Sequence, residues 1–343
     1  MKFIHCADIH IGAPACITDN LARTEKAIHN IFSVAAERNI KTVVVAGDLF
    51  DIAYPTNEQR DFLERILLGY DAAGYNILAI SGNHDLIDQT GETAIRYLDI
   101  MYEQGRFQHS VITEKTVYHQ IDDTVFILFV HKPKLFKSTL TKAIDDLKNS
   151  SVILDYKHVV VVAHELIRGS IMDNNYQPKH GEDLDDQNAA FVTYYALGDI
   201  HKQQRIGPCT YYSGAPHQTK FGEEARKGLL IVDTDNPDNP EFVQLESKQL
   251  VIATSKDDIP EDSYVKLKAS KLDLTSQELP DNVVKTEYDR EEVELTVNID
   301  AEGALKASVV QAVMDQLKAD NNDSLINLAI EEIDTIFAEG IKL

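Results

Sequence analysis

Five short clusters of acid, imidazole and amide side chains punctuate the chain: Asp8-Ile9-His10, Gly47-Asp48-Leu49-Phe50-Asp51, Gly82-Asn83-His84-Asp85, His164, and Gly198-Asp199-Ile200-His201. Carboxylate oxygen, amide oxygen and imidazole nitrogen together suit manganese or a similar divalent ion. Taken singly, each cluster is ordinary. Asp-x-His arises near chance, Gly-Asp is usually a turn, and Asn and Asp readily close a strand-exit turn. A lone histidine in an apolar run is usually a satisfied core residue. The informative feature is that every cluster directly follows an apolar run.

Those runs read as buried strands at Phe3–Ala7, Thr42–Ala46 and Asn76–Ile80, with further β-rich runs at 125–130, 158–163, 194–197, 210–212 and 228–232. Between the first three lie helical patterns. One runs from an Asp19 cap to about Asn39, with Ile28, Ile31, Phe32 and Ala35 on one face; the other runs from an Asn57 cap to about Ala73, ended by Gly74. Strand–helix–strand order predicts parallel pairing with right-handed crossovers. Parallel sheets bind ligands outside the carboxyl ends of their strands, so the five clusters should converge on one place. Gly47, Gly82 and Gly198 would let the backbone approach closely there.

The formal net charge is −23 and the acidity is densest in the last third of the chain. That argues against a protein that binds nucleic acid unaided, because phosphate contacts supply most non-specific DNA affinity. Three widely spaced cysteines, Cys6, Cys16 and Cys209, build neither a disulfide framework nor a zinc knuckle. The first apolar run is too short for a signal peptide and no stretch approaches a membrane span, so the expected location is cytoplasmic, with no membrane partner.

The order Asp-x-His, Gly-Asp-x-x-Asp, Gly-Asn-His-Asp, His, Gly-x-x-His resembles the calcineurin-like metallophosphoesterases. The wording of Gly47–Asp51, Tyr194–Lys202, Tyr212-Ser213-Gly214-Ala215-Pro216 and Phe221-Gly222-Glu223-Glu224 with Lys227-Gly228 is similar to SbcD-type DNA nucleases. That family includes bacterial, archaeal and eukaryotic repair nucleases and phage recombination endonuclease subunits. The resemblance implies an α/β fold: a βαβ metallophosphoesterase sandwich with a smaller α+β capping domain and C-terminal helices. The expected domains are residues 1–245 (nuclease), 246–300 (cap) and 301–343 (a helical hairpin). It also implies two divalent ions, manganese before magnesium, that lower the pKa of a bridging water to a usable hydroxide. The first would be held by Asp8, His10, Asp48 and His201, the second by Asp48, Asn83, His164 and position 199. His84 matches the family's phosphate-contacting histidine, with Asp85 and Asp51 as candidates to orient it. Asp51 serves equally well as a simple cap. Where the family has Gly-His-x-His, this chain has Gly198-Asp199-Ile200-His201. A carboxylate still suits manganese or magnesium, but it is shorter than histidine and neutralises the site's charge.

The activity so implied is 3′–5′ exonuclease on duplex ends and endonuclease on single strands, in a homodimer partnered by an SbcC-type coiled-coil ATPase. Lys132, Lys134, Lys137 and Lys142, with Lys202, Arg205, Lys220, Arg226 and Lys227, form a candidate basic rim for DNA, although any one of them fits a solvated face equally. The ATPase would supply most of the DNA affinity. A small-molecule phosphodiesterase or phosphatase would share all five motifs. A scaffold subunit with a weakened site is the reading that position 199 favours. Two amphipathic patterns, on Leu305, Val309, Val313 and Leu317 and on Ile326, Ile330, Ile333 and Phe337, either complete the cap or dock the ATPase.

Overall fold

The computed structural model describes residues 1–87, 91–130, 136–150, 153, 155–184, 190–269, 279–288, 310 and 313. Met1–Asp289 form one compact unit and Arg290–Leu343 a second. Apart from residues 310 and 313, the expected C-terminal hairpin lies outside the described residues.

The chain runs β1 (Lys2–Cys6), α1 (Asn20–Glu37), β2 (Thr42–Val45), α2 (Asn57–Ala72), β3 (Asn76–Ile80), α3 (Arg96–Glu103), β4 (Val111–Thr113) and β5 (Val117–Ile121). It continues through β6 (Thr124–Phe129), α4 (Phe136–Lys148), β7 (His158–His164), β8 (Tyr194–Gly198), β9 (Gln204–Gly207) and β10 (Thr210–Tyr212). Then come β11 (Gly228–Asp233), β12 (Glu241–Gln244), β13 (Gln249–Ala253), β14 (Ser263–Ala269) and β15 (Val283–Tyr288). Two mixed six-stranded sheets result, in the orders β12-β11-β1-β2-β3-β4 and β5-β6-β7-β8-β10-β9. The strands that carry the clusters pair in parallel: β1 with β2, β2 with β3, and β7 with β8. A third sheet, β13-β14-β15, is parallel throughout.

The period-two alternation of a strand explains the layering. Phe3, Val44, Leu78 and Ile80 face inward and pack with Phe126, Leu128, Val160 and Val162 of the second sheet. Their neighbours Ile4, Val43, Val45 and Ile77 face outward and pack under α1 and α2, on Ile28, Ile31, Phe32, Leu63 and Ile66. The second sheet is covered on its outer face by α4, through Phe136, Leu140, Ile144 and Leu147. Strands buried on both faces read as continuous apolar runs, and here they do. Each such side chain contributes about 1.5–3 kcal/mol of burial, so the frame that fixes the strand ends is rigid.

Asp19 is the N-cap residue of α1 as expected, but its side-chain bond and the cap of α2 differ from the sequence expectation. Thr56, not Asn57, caps α2: its hydroxyl accepts from the Gln59 N–H at 3.2 Å and the Gln59 side chain accepts from the Thr56 N–H at 2.8 Å. This capping box leaves Asn57 as the first helical residue. Asp19 precedes α1 but its side chain does not cap it; it accepts the Tyr264 hydroxyl at 2.6 Å and so ties the third sheet to α1. Ile17, Leu250 and Tyr264 bury a small apolar patch at the same junction. Gln218 adds to the tie, its side chain accepting from the Leu250 N–H at 2.8 Å.

Candidate metal centre

Each cluster sits where its strand stops. The Asp8 N–H donates to the Gly47 carbonyl (3.1 Å), and the His10 N–H to the Asp48 carbonyl (3.0 Å), so the exits of β1 and β2 run side by side. Asp8, His10, Asp48 and Asp199 all have positive φ, of 57°, 48°, 51° and 98°. Non-glycine residues take this region reluctantly, with Asp, Asn and His least averse, and such strain gathers at functional sites. Gly47 has φ 89°, and a Cβ there would lie 2.2 Å from the His164 ring. A Cβ on Gly82 would lie 2.2 Å from the Asp48 carboxylate. Both glycines are therefore required by close approach to site residues.

Asp48 stands at the centre. Its Oδ2 is 3.4 Å from both His10 Nε2 and His164 Nε2, and its Oδ1 accepts the His84 N–H at 2.9 Å. On one side His10 Nε2 lies 3.0 Å from His201 Nε2. Asp8 Oδ1 is 4.0 Å from His201 Nε2. On the other side His164 Nε2 lies 2.8 Å from Asn83 Oδ1 and 3.8 Å from Asp199 Oδ1. His164 Nδ1 donates to the Ala46 carbonyl at 2.7 Å. This fixes the ring orientation and leaves Nε2 as the nitrogen that faces the cluster.

These atoms fit divalent cations on chemical grounds. Two imidazole nitrogens 3.0 Å apart have the spacing of neighbouring ligands on one ion with bonds of about 2.1 Å. The second ring nitrogen of each faces a carboxylate: His10 Nδ1 is 3.3 Å from Asp51 Oδ1, and His201 Nδ1 is 2.8 Å from Glu223 Oε1. Carboxylate behind imidazole is the usual backing of a metal-ligating histidine. Asp8 Oδ2 is fully buried and has no hydrogen-bond partner among the described residues, a costly state for an oxygen unless a cation satisfies it. Electrostatics agree. Burial pulls the His164 pKa down, yet Asp48, Asp8 and Asp199 outweigh it and hold that ring well above its ordinary value. Burial pushes Asp48 up, yet the His164, His10 and His84 rings hold it well below the carboxylate range. The cavity thus carries an excess of negative charge that favours cations. The donor groups that close within 4.8 Å are Asp8–His10–His201, Asp8–Asp48–His164 and His10–Asp48–His84. These His/Asp clusters, two of which contain Asp48, are consistent with a dinuclear metal site.

His84, Asp51 and Asp85 occupy three different positions. His84 lines the cleft and its Nδ1 donates to the Asp51 backbone carbonyl at 2.7 Å. Asp51 therefore reaches two histidines, His84 through its carbonyl and His10 through its carboxylate. Asp85, offered by the sequence as an orienter of His84, instead accepts three backbone N–H groups: Leu49 (3.2 Å), Phe50 (2.9 Å) and Gly82 (2.9 Å). It staples the exits of β2 and β3. Burial and the Asp48 charge push its pKa up to about 7 despite those donors.

The cleft has a volume of about 500 Å³. It is lined by Asp48, Asn83, His84, Asp199 and His201 together with Met172, Asp173, Lys220 and Phe221. Of the basic candidates, Lys220 alone among these lining residues is a cation. Lys202 bonds Asn175 (2.9 Å), and Arg205 pairs with Asp238 (2.6 Å). Lys137 is exposed on α4, and Lys132 and Lys134 lie outside the described residues. Lys227 is not on a rim at all. It is 1% exposed, with its ammonium 3.1 Å from Asp173 and 3.1 Å from Glu223.

Sequence reasoning missed the supports. Glu223 was visible only as part of a shared wording and Lys227 was read as a rim cation, although their i,i+4 spacing of opposite charges was a usable signal. Asp173 sits in a polar loop that carries no pattern. His217 is buried, donates through Nε2 to the Ile9 carbonyl (2.9 Å) and accepts from Arg23 (2.6 Å). Burial and the Arg23 charge push its pKa down to about 3, so it holds the Asp8–His10 turn as a neutral ring.

Among the described residues no helix is long and apolar enough to cross a membrane. The sequence pattern of calcineurin-like phosphoesterases matches residues 1–203. The DNA double-strand break repair protein Mre11 of Thermoplasma acidophilum is 26% identical over 293 residues, which is 82% of this chain and 74% of that protein. Mre11 of Methanopyrus kandleri is 25% identical over 279 residues, 74% of this chain and 59% of that protein. The SbcD component of the nuclease SbcCD of Staphylococcus epidermidis is 26% identical over 272 residues, 71% of this chain and 70% of that protein. With the strand-end cluster of histidines and aspartates, these matches place the chain: it belongs to the calcineurin-like phosphoesterase family and is similar, at about 25% identity over most of its length, to the Mre11 and SbcD nucleases.

Proposed function

We propose that this chain is the DNA-cleaving subunit of an SbcCD-like repair or recombination complex, hydrolysing phosphodiesters with two divalent cations. The observation that carries the reading is the place of Asp48 on an open cleft, with its Oδ2 3.4 Å from His10 Nε2 on one side and 3.4 Å from His164 Nε2 on the other. Asp8, His10, Asp48 and His201 would hold one cation, and Asp48, Asn83, His164 and Asp199 the other. Manganese is the expected ion, with magnesium second, because the donors are oxygen and imidazole without thiolate. Such a pair supplies a water of lowered pKa and stabilises charge on phosphate oxygens.

The remaining work falls to the chain's own groups. His84, its Nδ1–H committed to the Asp51 carbonyl, turns its other nitrogen to the cleft, where it contacts the phosphate and delivers a proton to the leaving sugar oxygen. Asp85 keeps His84 and Asp48 in register by locking the two turns that carry them. Lys220 offers a local positive charge to the phosphate backbone. Lys137, Lys202 and Arg205 remain candidates for weaker DNA contacts. An acidic chain acting on DNA needs help, and an SbcC-type ATPase bound to a homodimer would provide it. Truncation after Asp300 is expected to abolish co-purification with that ATPase while manganese binding persists; full-affinity pull-down by the truncated protein would refute C-terminal docking. Rates on DNA and on bis(p-nitrophenyl) phosphate in manganese separate this reading from a small-molecule phosphodiesterase. DNA should be preferred, and hydrolysis of the small ester alone would overturn the proposal.

Asp199 is the feature that favours a weakened site. Its carboxylate is 3.8 Å from His164 Nε2 and partly solvated. Asp199→His is therefore expected to tighten the second cation and raise the rate several-fold, and Asp199→Ala to loosen it. Isothermal titration with manganese checks both; unchanged binding in Asp199→Ala would remove Asp199 from the ligand set.

A further inference from the structure

His201 and His164 present Nε2 to the same cluster, but they are held by different devices. His164 Nδ1 is held by a backbone carbonyl, that of Ala46, at 2.7 Å. His201 Nδ1 is held by a side chain, Glu223, at 2.8 Å. Glu223 is itself fully engaged. Its Oε1 also accepts the Thr219 hydroxyl (2.8 Å), and its Oε2 accepts the Thr219 N–H (3.0 Å) and the Lys227 ammonium (3.1 Å).

Lys227 completes the arrangement. An ammonium has three N–H donors, and here three acceptors surround it: Glu223, Asp173 Oδ1 at 3.1 Å and the His201 carbonyl at 2.9 Å. Asp173, His201 and Glu223 also have the spacing of a cation-binding group. The Lys227 ammonium already serves as the cation for the two carboxylates of that group, which argues against a third metal there. Removing one partner from a buried ion pair leaves an uncompensated charge, so the network holds as a unit.

We infer that Glu223, held by Thr219 and Lys227, is the positioning residue of His201 and sets the affinity of the first cation site alone. The inference rests on the two-cation reading above and deepens it. It assigns a task to the Phe-Gly-Glu-Glu…Lys segment, which lines the cleft and reaches the cluster through His201. Losing the carboxylate behind a ligating imidazole typically costs 10–100-fold in metal affinity. The second site keeps its own orienter, the Ala46 carbonyl, and should not respond.

The test is manganese titration followed by electron paramagnetic resonance, without DNA, on the full chain and on Glu223→Ala, Glu223→Gln and Thr219→Val. The unaltered protein should bind two ions. Glu223→Ala should weaken one of them by about 10–100-fold and leave the other unchanged. Glu223→Gln, whose amide oxygen still accepts from Nδ1, should restore much of the loss. Thr219→Val removes a hydroxyl that supports the carboxylate and also lies 3.0 Å from His201 Nδ1, without opening the ion pair; it should weaken the same ion several-fold, and if Glu223→Ala does not fold, Glu223→Gln read beside it decides the matter. Equal weakening of both ions, or of neither, would overturn the inference. If the unaltered protein fails to bind two ions, the two-cation reading falls and the inference with it. Cleavage of DNA is not read, so the choice of substrate stays a separate question.

Discussion

A His84→Ala protein is expected to bind both cations and yet cleave DNA about 10²–10⁴-fold more slowly, the range for loss of a positioned proton donor. The side chain is removed but the His84 backbone N–H, which donates to Asp48 Oδ1 at 2.9 Å, remains. Asp48 therefore keeps its orientation. The alternative is chemically reasonable, because His84, His10 and Asp48 also lie within ligand distance of one another. Metal analysis decides between them: two manganese ions per chain with lost cleavage fits a phosphate-facing role, and loss of one ion makes His84 a ligand.

The second large effect is expected at Asp48. Its Oδ2 lies 3.4 Å from imidazoles on both sides of the cluster, so it belongs to both donor groups. Asp48→Ala should lose both ions under conditions that saturate the unaltered protein. The rate should fall by at least about 10³-fold, since metal stabilisation of the transition state is worth several kcal/mol and each 1.36 kcal/mol is tenfold. Manganese titration and single-turnover cleavage check the two halves of this expectation. Together the variants form a graded set: no ion lost at His84, one weakened at Glu223, both lost at Asp48. A damaged fold would not produce that order.

Much of the frame was legible because buried parallel strands write themselves as apolar runs. Thr42–Ala46 and Asn76–Ile80 match β2 and β3 to within a residue. The clusters were legible because β1, β2 and β3 run parallel in one sheet and β7 and β8 in the other, and the exits of both sets meet at Asp48 and His164. Helix α4 was missed although Phe136, Leu140, Ile144 and Leu147 recur at helical spacing; the lysines between them mask the stripe. Strand β15 was missed because only Val283 and Val284 are half-buried and Lys285, Thr286 and Glu287 are exposed, so no apolar run marks it. The side-chain bond of Asp19 and the cap at Asn57 were misread for a related reason. A short polar side chain before a helix has several partners within reach, and tertiary contact with Tyr264 decided for Asp19. Lys227 shows the limit of reading charge from sequence. A lysine in a polar stretch is normally solvated, and only the meeting of Asp173, Glu223 and the His201 carbonyl keeps this one inside.

The central claim is that the cluster at the strand ends hydrolyses DNA with bound divalent cations. The direct measurement is digestion of end-labelled duplex DNA by the purified chain, with and without an SbcC-type ATPase, in manganese, in magnesium and in excess EDTA. The account predicts shortening of the labelled strand in manganese, slower shortening in magnesium, stimulation by the ATPase and none in EDTA. Undiminished cleavage in excess chelator, or intact DNA in manganese with the ATPase present, would contradict it.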